Sequence, residues 1–64
     1  MNLTRREKEV LRLILTGLSS SVAAEEMGVC KRTIDFHLQN IYAKLDVTNR
    51  VQAFLKVQKL QIEL

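Results

Sequence analysis

The sequence predicts an all-α fold of four helices, which cover residues 4–16, 20–27, 31–45 and 49–61. Apolar residues recur at the spacing of one helix face along most of the chain. Thr, Ser or Asn residues, which cap helices well, lie at or just before the start of three of the four segments. Proline is absent, and both glycines follow a predicted helix. We expect one domain, residues 1–64, with no room for a separate sensor or catalytic domain.

The first predicted helix has a start signal and a stop signal in its sequence. Thr4 and Glu7 have the spacing of a capping box, in which each side chain accepts a hydrogen bond from the other residue's amide. Gly17 ends the helix, because glycine adopts the left-handed conformation without strain. The side chains expected to face the core are Val10, Leu11, Ile14 and Leu15.

The second predicted helix is short, begins within the serine run 19–21 and ends at Gly28. Its inward-facing side chains are expected to be Ala23, Ala24 and Met27. A helix-turn-helix needs a small residue where its helices cross, a glycine in the turn and an apolar residue on the second helix. Ala24, Gly28 and Ile34 follow in that order. The order predicts a helix-turn-helix, although two short helices joined by glycine also occur in other bundles.

The third predicted helix, residues 31–45, has one apolar side and one side of mixed chemistry. The apolar stripe consists of Ile34, Leu38, Ile41 and Leu45. The side chains that lie off this stripe include Asp35, Phe36, Gln39 and Tyr42. An exposed face that combines an acid, an aromatic ring and an amide suits contact with another molecule. We therefore predict that this segment is the recognition helix of a DNA-binding helix-turn-helix.

The fourth predicted helix carries two apolar stripes. Asn49 is expected to cap it, with Gln52 as the reciprocal partner. The stripe expected to face the core consists of Ala53, Phe54, Val57 and Leu60. The second stripe consists of Val51, Leu55, Gln58 and Ile62. A helix that is apolar on both sides of so small a domain favours a partner, so the second stripe is predicted to be a dimer interface or a docking face for another domain.

Charge and composition exclude several classes of function. A net charge of +3 and a pI near 9.4 fit a nucleic-acid partner. A single cysteine and a single histidine provide neither a disulfide nor a metal-ligand set, so we expect no metal and no cofactor. Without a nucleophile–base pair or a phosphate-binding loop, an enzyme is not expected. The absence of a signal peptide and of a long apolar run predicts a soluble cytoplasmic protein with no membrane contact.

Many residues along nearly the whole chain match one family pattern in fixed register. They are residues 3–11, Gly17-Leu18-Ser19, Thr33-Ile34, His37, Asn40-Ile41, Lys44-Leu45, Val47, Asn49-Arg50 and Gln52-Ala53. With these residues the chain resembles the LuxR/FixJ (NarL-like) helix-turn-helix, the DNA-binding domain of many bacterial transcription regulators. The resemblance implies a four-helix domain whose third helix enters the major groove of double-stranded DNA and whose fourth helix forms a homodimer on paired half-sites.

The resemblance also bears on the rest of the protein. Such domains usually accompany a receiver or ligand-binding domain, so the chain is expected to be either an effector domain or a small stand-alone regulator. RNA polymerase is a further candidate partner. The alternative is a protein-interaction module on the same scaffold, which dimerises with other regulators without binding DNA strongly.

Four positions depart from the family pattern. Val22 replaces a Glu that would complete a capping box with Ser19. Cys30 replaces the usual Ser cap, and we expect about 1 kcal/mol less support for the third helix there. Ser21 and Asp35 stand where the family often has Lys. Asp35 either repels phosphate or accepts a hydrogen bond from a cytosine amino group.

The predicted DNA contacts fall into two classes. Those expected to face base edges are Asp35, Phe36 and Gln39. Those expected to reach phosphates are Ser20, Lys31, Arg32, Thr33, His37, Lys44 and Arg50. Gln39 is suited to adenine and Phe36 to a thymine methyl group. Arg50 is open to a second interpretation, as the partner of a carboxylate on the first helix such as Glu9.

Cys30 and His37 are each open to a chemical interpretation. Cys30 could act as a redox switch at a helix N-terminus, but we favour a small residue that fills a cap position. His37 lies beside the apolar stripe, and we favour a part-buried side chain that also approaches phosphate over a metal ligand.

Overall fold

The computed structural model describes residues 3–64, so residues 1 and 2 of the predicted domain lie outside the described range. Its described part contains four helices, namely α1 (Arg5–Leu15), α2 (Ser20–Met27), α3 (Lys31–Leu45) and α4 (Arg50–Leu60). The all-α prediction is confirmed. The bounds of α2 and α3 are those predicted, and α1 and α4 are each one residue shorter at both ends. None of these helices has the length and apolar character needed to cross a membrane.

The core lies where α1, α2 and α3 meet, and α4 covers one side of it. Its fully buried side chains are Val10, Leu11, Ile14, Ala23, Ile34, Ile41, Leu45 and Ala53. Full burial of a side chain of Ile or Leu size contributes about 1.5–3 kcal/mol. α3 supplies three of these large residues and touches all three other helices, so its orientation is fixed from its buried side.

The predicted cap of α1 and the predicted glycines of both early turns are confirmed. Thr4 Oγ1 accepts from the Glu7 amide at 3.1 Å, and Glu7 Oε1 accepts from the Thr4 amide at 2.9 Å. Gly17 has a φ of 104° and Gly28 a φ of 68°, both in the left-handed region that favours glycine. Ser19 caps α2 by accepting from the amide of residue 22 at 3.2 Å, the half of the box that a valine there permits.

The start of α4 differs from the prediction in one hydrogen bond. Asn49 Oδ1 accepts from the Gln52 amide at 2.9 Å, as expected of the cap. Gln52 Oε1, however, accepts from the amide of Thr48 at 2.9 Å and from its hydroxyl at 3.1 Å, and not from the Asn49 amide. The predicted reciprocal partner was wrong, because Thr48 offers two donors to the same oxygen.

The outer part of α4 is less buried than predicted. Phe54 is 42% exposed and Leu60 is 44% exposed, so the prediction that both face the core was wrong. Only Ala53 of this helix is fully buried, and its small side chain lets one side of α4 pack against the core.

The turn after α4 brings the chain back to the core. Gln61 has a φ of 54°, and the Ile62 amide donates to the Val57 carbonyl at 3.1 Å. This turn packs Ile62 against the core, whereas Val51, Leu55 and Gln58 of the same predicted stripe are exposed.

Candidate nucleic-acid interface

The side of α3 that faces away from the core carries the three residues predicted to face bases. Asp35, Phe36 and Gln39 are all exposed, and Phe36 is 59% exposed. Buried Ile34 and Ile41 on the opposite side hold the helix in place. A phenyl ring that remains largely in water on an anchored helix is typical of a contact surface.

Two cations lie at the N-terminal end of α3. Lys31 and Arg32 are exposed, and Thr33 is partly exposed. The amides of a helix's first turn and the helix dipole also favour an anion at this end. The end is therefore suited to phosphate, provided that its cations are free to reach it.

Cys30 gives α3 no side-chain cap, as the sequence predicts for a thiol. Its Sγ lies 3.3 Å from Thr33 Oγ1. The hydrogen bond with the Thr33 hydroxyl holds the pKa of the Cys30 thiol below its usual value. The side chain thus contacts the helix's own first turn and leaves the backbone cap unmade.

The exposed carboxylate of Asp35 is paired with another side chain of the same molecule. Lys31 Nζ donates to Asp35 Oδ2 at 2.9 Å, across one turn of α3. This bond, together with a side-chain hydrogen bond from Ser20 at the start of α2, holds the pKa of Asp35 below its usual value. Lys31 and Ser20 were both predicted to bind phosphate, and neither partnership with Asp35 was foreseen. The four-residue spacing of Lys31 and Asp35 was the signal that could have revealed the first.

A second lysine–carboxylate pair joins α3 to α1. Lys44 Nζ donates to Glu7 Oε1 at 2.7 Å, and the Glu7 side chain is only 6% exposed. Burial raises the pKa of Glu7, but hydrogen bonds from Lys44 and Thr4 outweigh it and lower the pKa overall. Lys44 was predicted to reach phosphate, and the structure instead places its ammonium group against a buried carboxylate. Sequence reasoning missed this pair.

Arg50 and His37 lie at the edges of the α3 face. Arg50 Nη2 donates to the Leu18 carbonyl at 3.2 Å and ties the start of α4 to the turn after α1. The predicted alternative of a pair between Arg50 and Glu9 was wrong, because Glu9 pairs with Arg6 at 3.3 Å. His37 is partly buried, and no cluster of potential metal ligands occurs among residues 3–64.

A second surface of interest lies on α4. Val51 is 67% exposed and Leu55 is 57% exposed, and Phe54 lies on the same helix between them in sequence. We call Val51, Phe54, Leu55 and Gln58 the α4 face. Three of these four exposed side chains are apolar, and an exposed apolar patch of this kind is typical of a surface that binds a partner.

The chain was compared with known proteins. The family described as bacterial regulatory proteins, luxR family, matches residues 1–57. The transcriptional activator protein AnoR of Acinetobacter nosocomialis is 43% identical over 58 residues, which cover 91% of this chain and 24% of AnoR. The HTH-type transcriptional regulator MalT of Vibrio campbellii is 41% identical over 58 residues, which cover 91% of this chain and 6% of MalT. The chain therefore spans about a quarter or less of the length of these relatives.

Proposed function

This chain belongs to the luxR family of bacterial regulatory proteins and has its helix-turn-helix fold, and from this membership we propose that it is a sequence-specific DNA-binding transcription regulator. The observation that carries the proposal is the exposed face of Asp35, Phe36 and Gln39 on a helix anchored from behind by buried side chains. A helix of this kind fits the major groove of double-stranded DNA.

Base and phosphate contacts are divided along α3. Gln39 is proposed to pair with the edge of an adenine and Phe36 to cover a thymine methyl group. Arg32, Thr33 and His37 are proposed to meet phosphates near the start of the helix. These three residues set the register of the helix in the groove, and the exposed amide and ring supply the sequence preference.

Lys44 and Arg50 have internal roles that compete with phosphate contact. The Lys44 ammonium lies against Glu7, and the Arg50 guanidinium lies against the Leu18 carbonyl. We propose that Lys44 acts on DNA indirectly, by holding α3 against α1. Arg50 is exposed and remains a candidate phosphate ligand beside its carbonyl contact.

Dimerisation is proposed through the α4 face. Its exposed aliphatic and aromatic groups would lose contact with water against a second copy, which is favourable at about 25 cal/mol per Å². Two copies related by a twofold axis would place their α3 helices on half-sites about 34 Å apart. Leu55→Asp is expected to abolish the dimer in analytical ultracentrifugation and leave the fold intact, because Leu55 is exposed in the single chain.

The longer relatives suggest that more protein accompanies this domain. From the family membership we propose a receiver or ligand-binding domain, contact with RNA polymerase and a cytoplasmic location for the whole regulator.

A second candidate function is a protein-interaction module that binds other regulators through the α4 face. The Lys31–Asp35 pair favours it, because the pair removes a free cation from the surface that would meet DNA. Sizing the chain with and without another regulator of the family, in the absence of DNA, separates this role from the first.

The DNA-binding proposal is tested by selecting bound duplexes from a random pool at low salt. The expected result is an enriched motif and an affinity that falls steeply with salt, because bound phosphates release counterions. Gln39→Ala should relax the preference at one base pair, whereas Arg32→Ala should weaken binding to all duplexes alike. Lys59→Ala, which removes an exposed cation at the far end of α4, is the control for charge alone. No enrichment and no binding at low salt would leave only the interaction module.

A further inference from the structure

The Lys31–Asp35 pair lies where the proposed interface has its greatest need for positive charge. Lys31 is the first residue of α3, and Asp35 is one turn later on the same exposed side. The ammonium and the carboxylate are 2.9 Å apart, within the range of a charge-assisted hydrogen bond. Asp35 thus cancels the formal charge of one of the two cations at this end of the helix.

The start of α2 also acts on Asp35. The Ser20 hydroxyl, on the first residue of α2, contributes less than Lys31 to holding the pKa of Asp35 below its usual value. The pair itself rests on Lys31, whose ammonium is suited to phosphate oxygens and faces a carboxylate of this chain.

We propose that Asp35 is a built-in attenuator of DNA binding, which occupies the Lys31 ammonium group so that it does not contribute fully to phosphate contact. The inference rests on the proposed DNA-binding function. Like phosphate, the carboxylate is an anion that accepts hydrogen bonds, so DNA has to compete with Asp35 for the same donors. Asp35 also brings a negative charge close to the DNA backbone, which weakens binding to every sequence.

Attenuation is favoured over base reading by the position of the pair. Lys31 holds the Asp35 carboxylate toward the N-terminal end of α3, the end at which helix amides and cations suit phosphate. A carboxylate that reads cytosine has to give a preference at one base pair. A carboxylate that attenuates binding has to lower the affinity for all duplexes alike. The two roles are therefore distinguished by comparing the affinities for specific and random duplexes.

The test measures the binding of a fluorescent duplex to the natural chain and to Asp35→Asn over a range of salt concentrations. Asparagine keeps the size of the side chain and removes its charge. We expect Asp35→Asn to bind about 3- to 10-fold more tightly to specific and random duplexes. This range corresponds to the free energy of one exposed ion pair, which the substitution makes available for binding. The slope of log affinity against log salt should steepen by about 0.9 per bound copy, because one more phosphate is neutralised.

The role of Lys31 is isolated by a double-mutant cycle. Lys31→Ala should weaken binding by less than about twofold in the natural chain, where Asp35 already occupies the ammonium group. The same substitution in the Asp35→Asn background should weaken binding by about 3- to 10-fold, because the ammonium is then free for phosphate. Equal effects in the two backgrounds would overturn the attenuation.

Asp46→Asn is the matched control. Asp46 is exposed at the C-terminal end of α3 and has a φ of 58°, which asparagine also adopts. The substitution makes the same change of charge just after the opposite end of α3, and the affinity of this variant for DNA should stay within about twofold of the natural chain. A gain equal to that of Asp35→Asn would show only a general charge effect and overturn the proposal.

The remaining outcomes separate this inference from the proposed function. If the natural chain binds and Asp35→Asn binds no more tightly, attenuation fails and the DNA-binding function stands. A loss of preference for cytosine at one position, without a general gain, would make Asp35 a base-reading residue and also overturn attenuation. If neither chain binds at low salt, both proposals fail.

Discussion

Two lysine–carboxylate pairs of this domain have the same chemistry in opposite surroundings. The Lys44–Glu7 pair joins α3 to α1 across 37 positions of sequence, and its carboxylate is 6% exposed. The Lys31–Asp35 pair lies within one turn of α3, and its carboxylate is 48% exposed. Water screens the second pair, whereas the first holds a buried charge that would otherwise lack compensation. The comparison indicates that the Lys44–Glu7 pair stabilises the fold, whereas the Lys31–Asp35 pair affects the binding of a partner such as DNA.

Other features at the N-terminal end of α3 also differ from those at the junction of α1 and α3. Cys30 leaves the helix without a side-chain cap, and Lys31 lies at the positive end of the helix dipole. The junction of α1 and α3, in contrast, has a complete capping box and buried aliphatic residues. Helix capping and burial are thus complete at the junction and incomplete at the proposed interface. Such departures from stabilising patterns are common at functional sites.

The largest expected effect is on stability. Lys44→Met should lower the free energy of unfolding by about 1–3 kcal/mol, because it removes a donor from the buried Glu7 carboxylate. Urea denaturation followed by circular dichroism measures this loss. Lys31→Met is the matched control, and its urea midpoint should stay close to that of the natural chain. Equal losses in both variants would remove the difference between the two pairs.

The pH dependence of stability should follow Glu7. Its pKa in the folded chain lies below the ordinary value of 4.5, so its contribution is present above pH 4.5 and is lost as the pH falls through the folded-state pKa. Urea midpoints measured between about pH 3 and 6 should therefore fall on the acid side. Glu7→Gln should flatten this fall, whereas Asp35→Asn should change it little, since Asp35 is exposed. The same fall in Glu7→Gln as in the natural chain would assign the acid sensitivity to other groups.

A smaller effect is expected at the start of α3. Cys30→Ser should raise the free energy of unfolding by about 0.5–1 kcal/mol, because the hydroxyl can accept from a first-turn amide that the thiol leaves uncapped. Thermal unfolding is sufficient to detect the change. Ser19→Ala, which removes an existing cap from α2, should shift the midpoint in the opposite direction. No gain from the serine would mean that the end of α3 is not poorly capped.

Local signals of the sequence predicted most of the fold. Thr4, Gly28 and Asn49 mark helix ends through hydrogen bonds and backbone angles that involve only near neighbours. Exposure of Phe54 and Leu60 was not predictable in this way. Helical spacing shows which residues share a face, but it does not show how far a neighbouring core extends along the helix.

The exposed face of α3 was predictable for the same reason, because the buried stripe fixes where Phe36 and Gln39 point. The electrostatic partners were harder to predict. Glu7 and Lys44 are distant in sequence, and a chain with ten basic and seven acidic residues permits many pairings. The Lys31–Asp35 pair obeys a local rule and was within reach of sequence reasoning. Its consequence depends on the exposed side of α3, where the structure places both residues of the pair.

The central claim is that the exposed side of α3 meets DNA. It is tested most directly by titrating the ¹⁵N-labelled chain with a short duplex at low salt and following the amide signals by NMR. The predicted result is that the largest shift changes occur in residues 31–39, with smaller changes at the start of α2 and little change in α1. Changes confined to α4, or no changes at all, would contradict it.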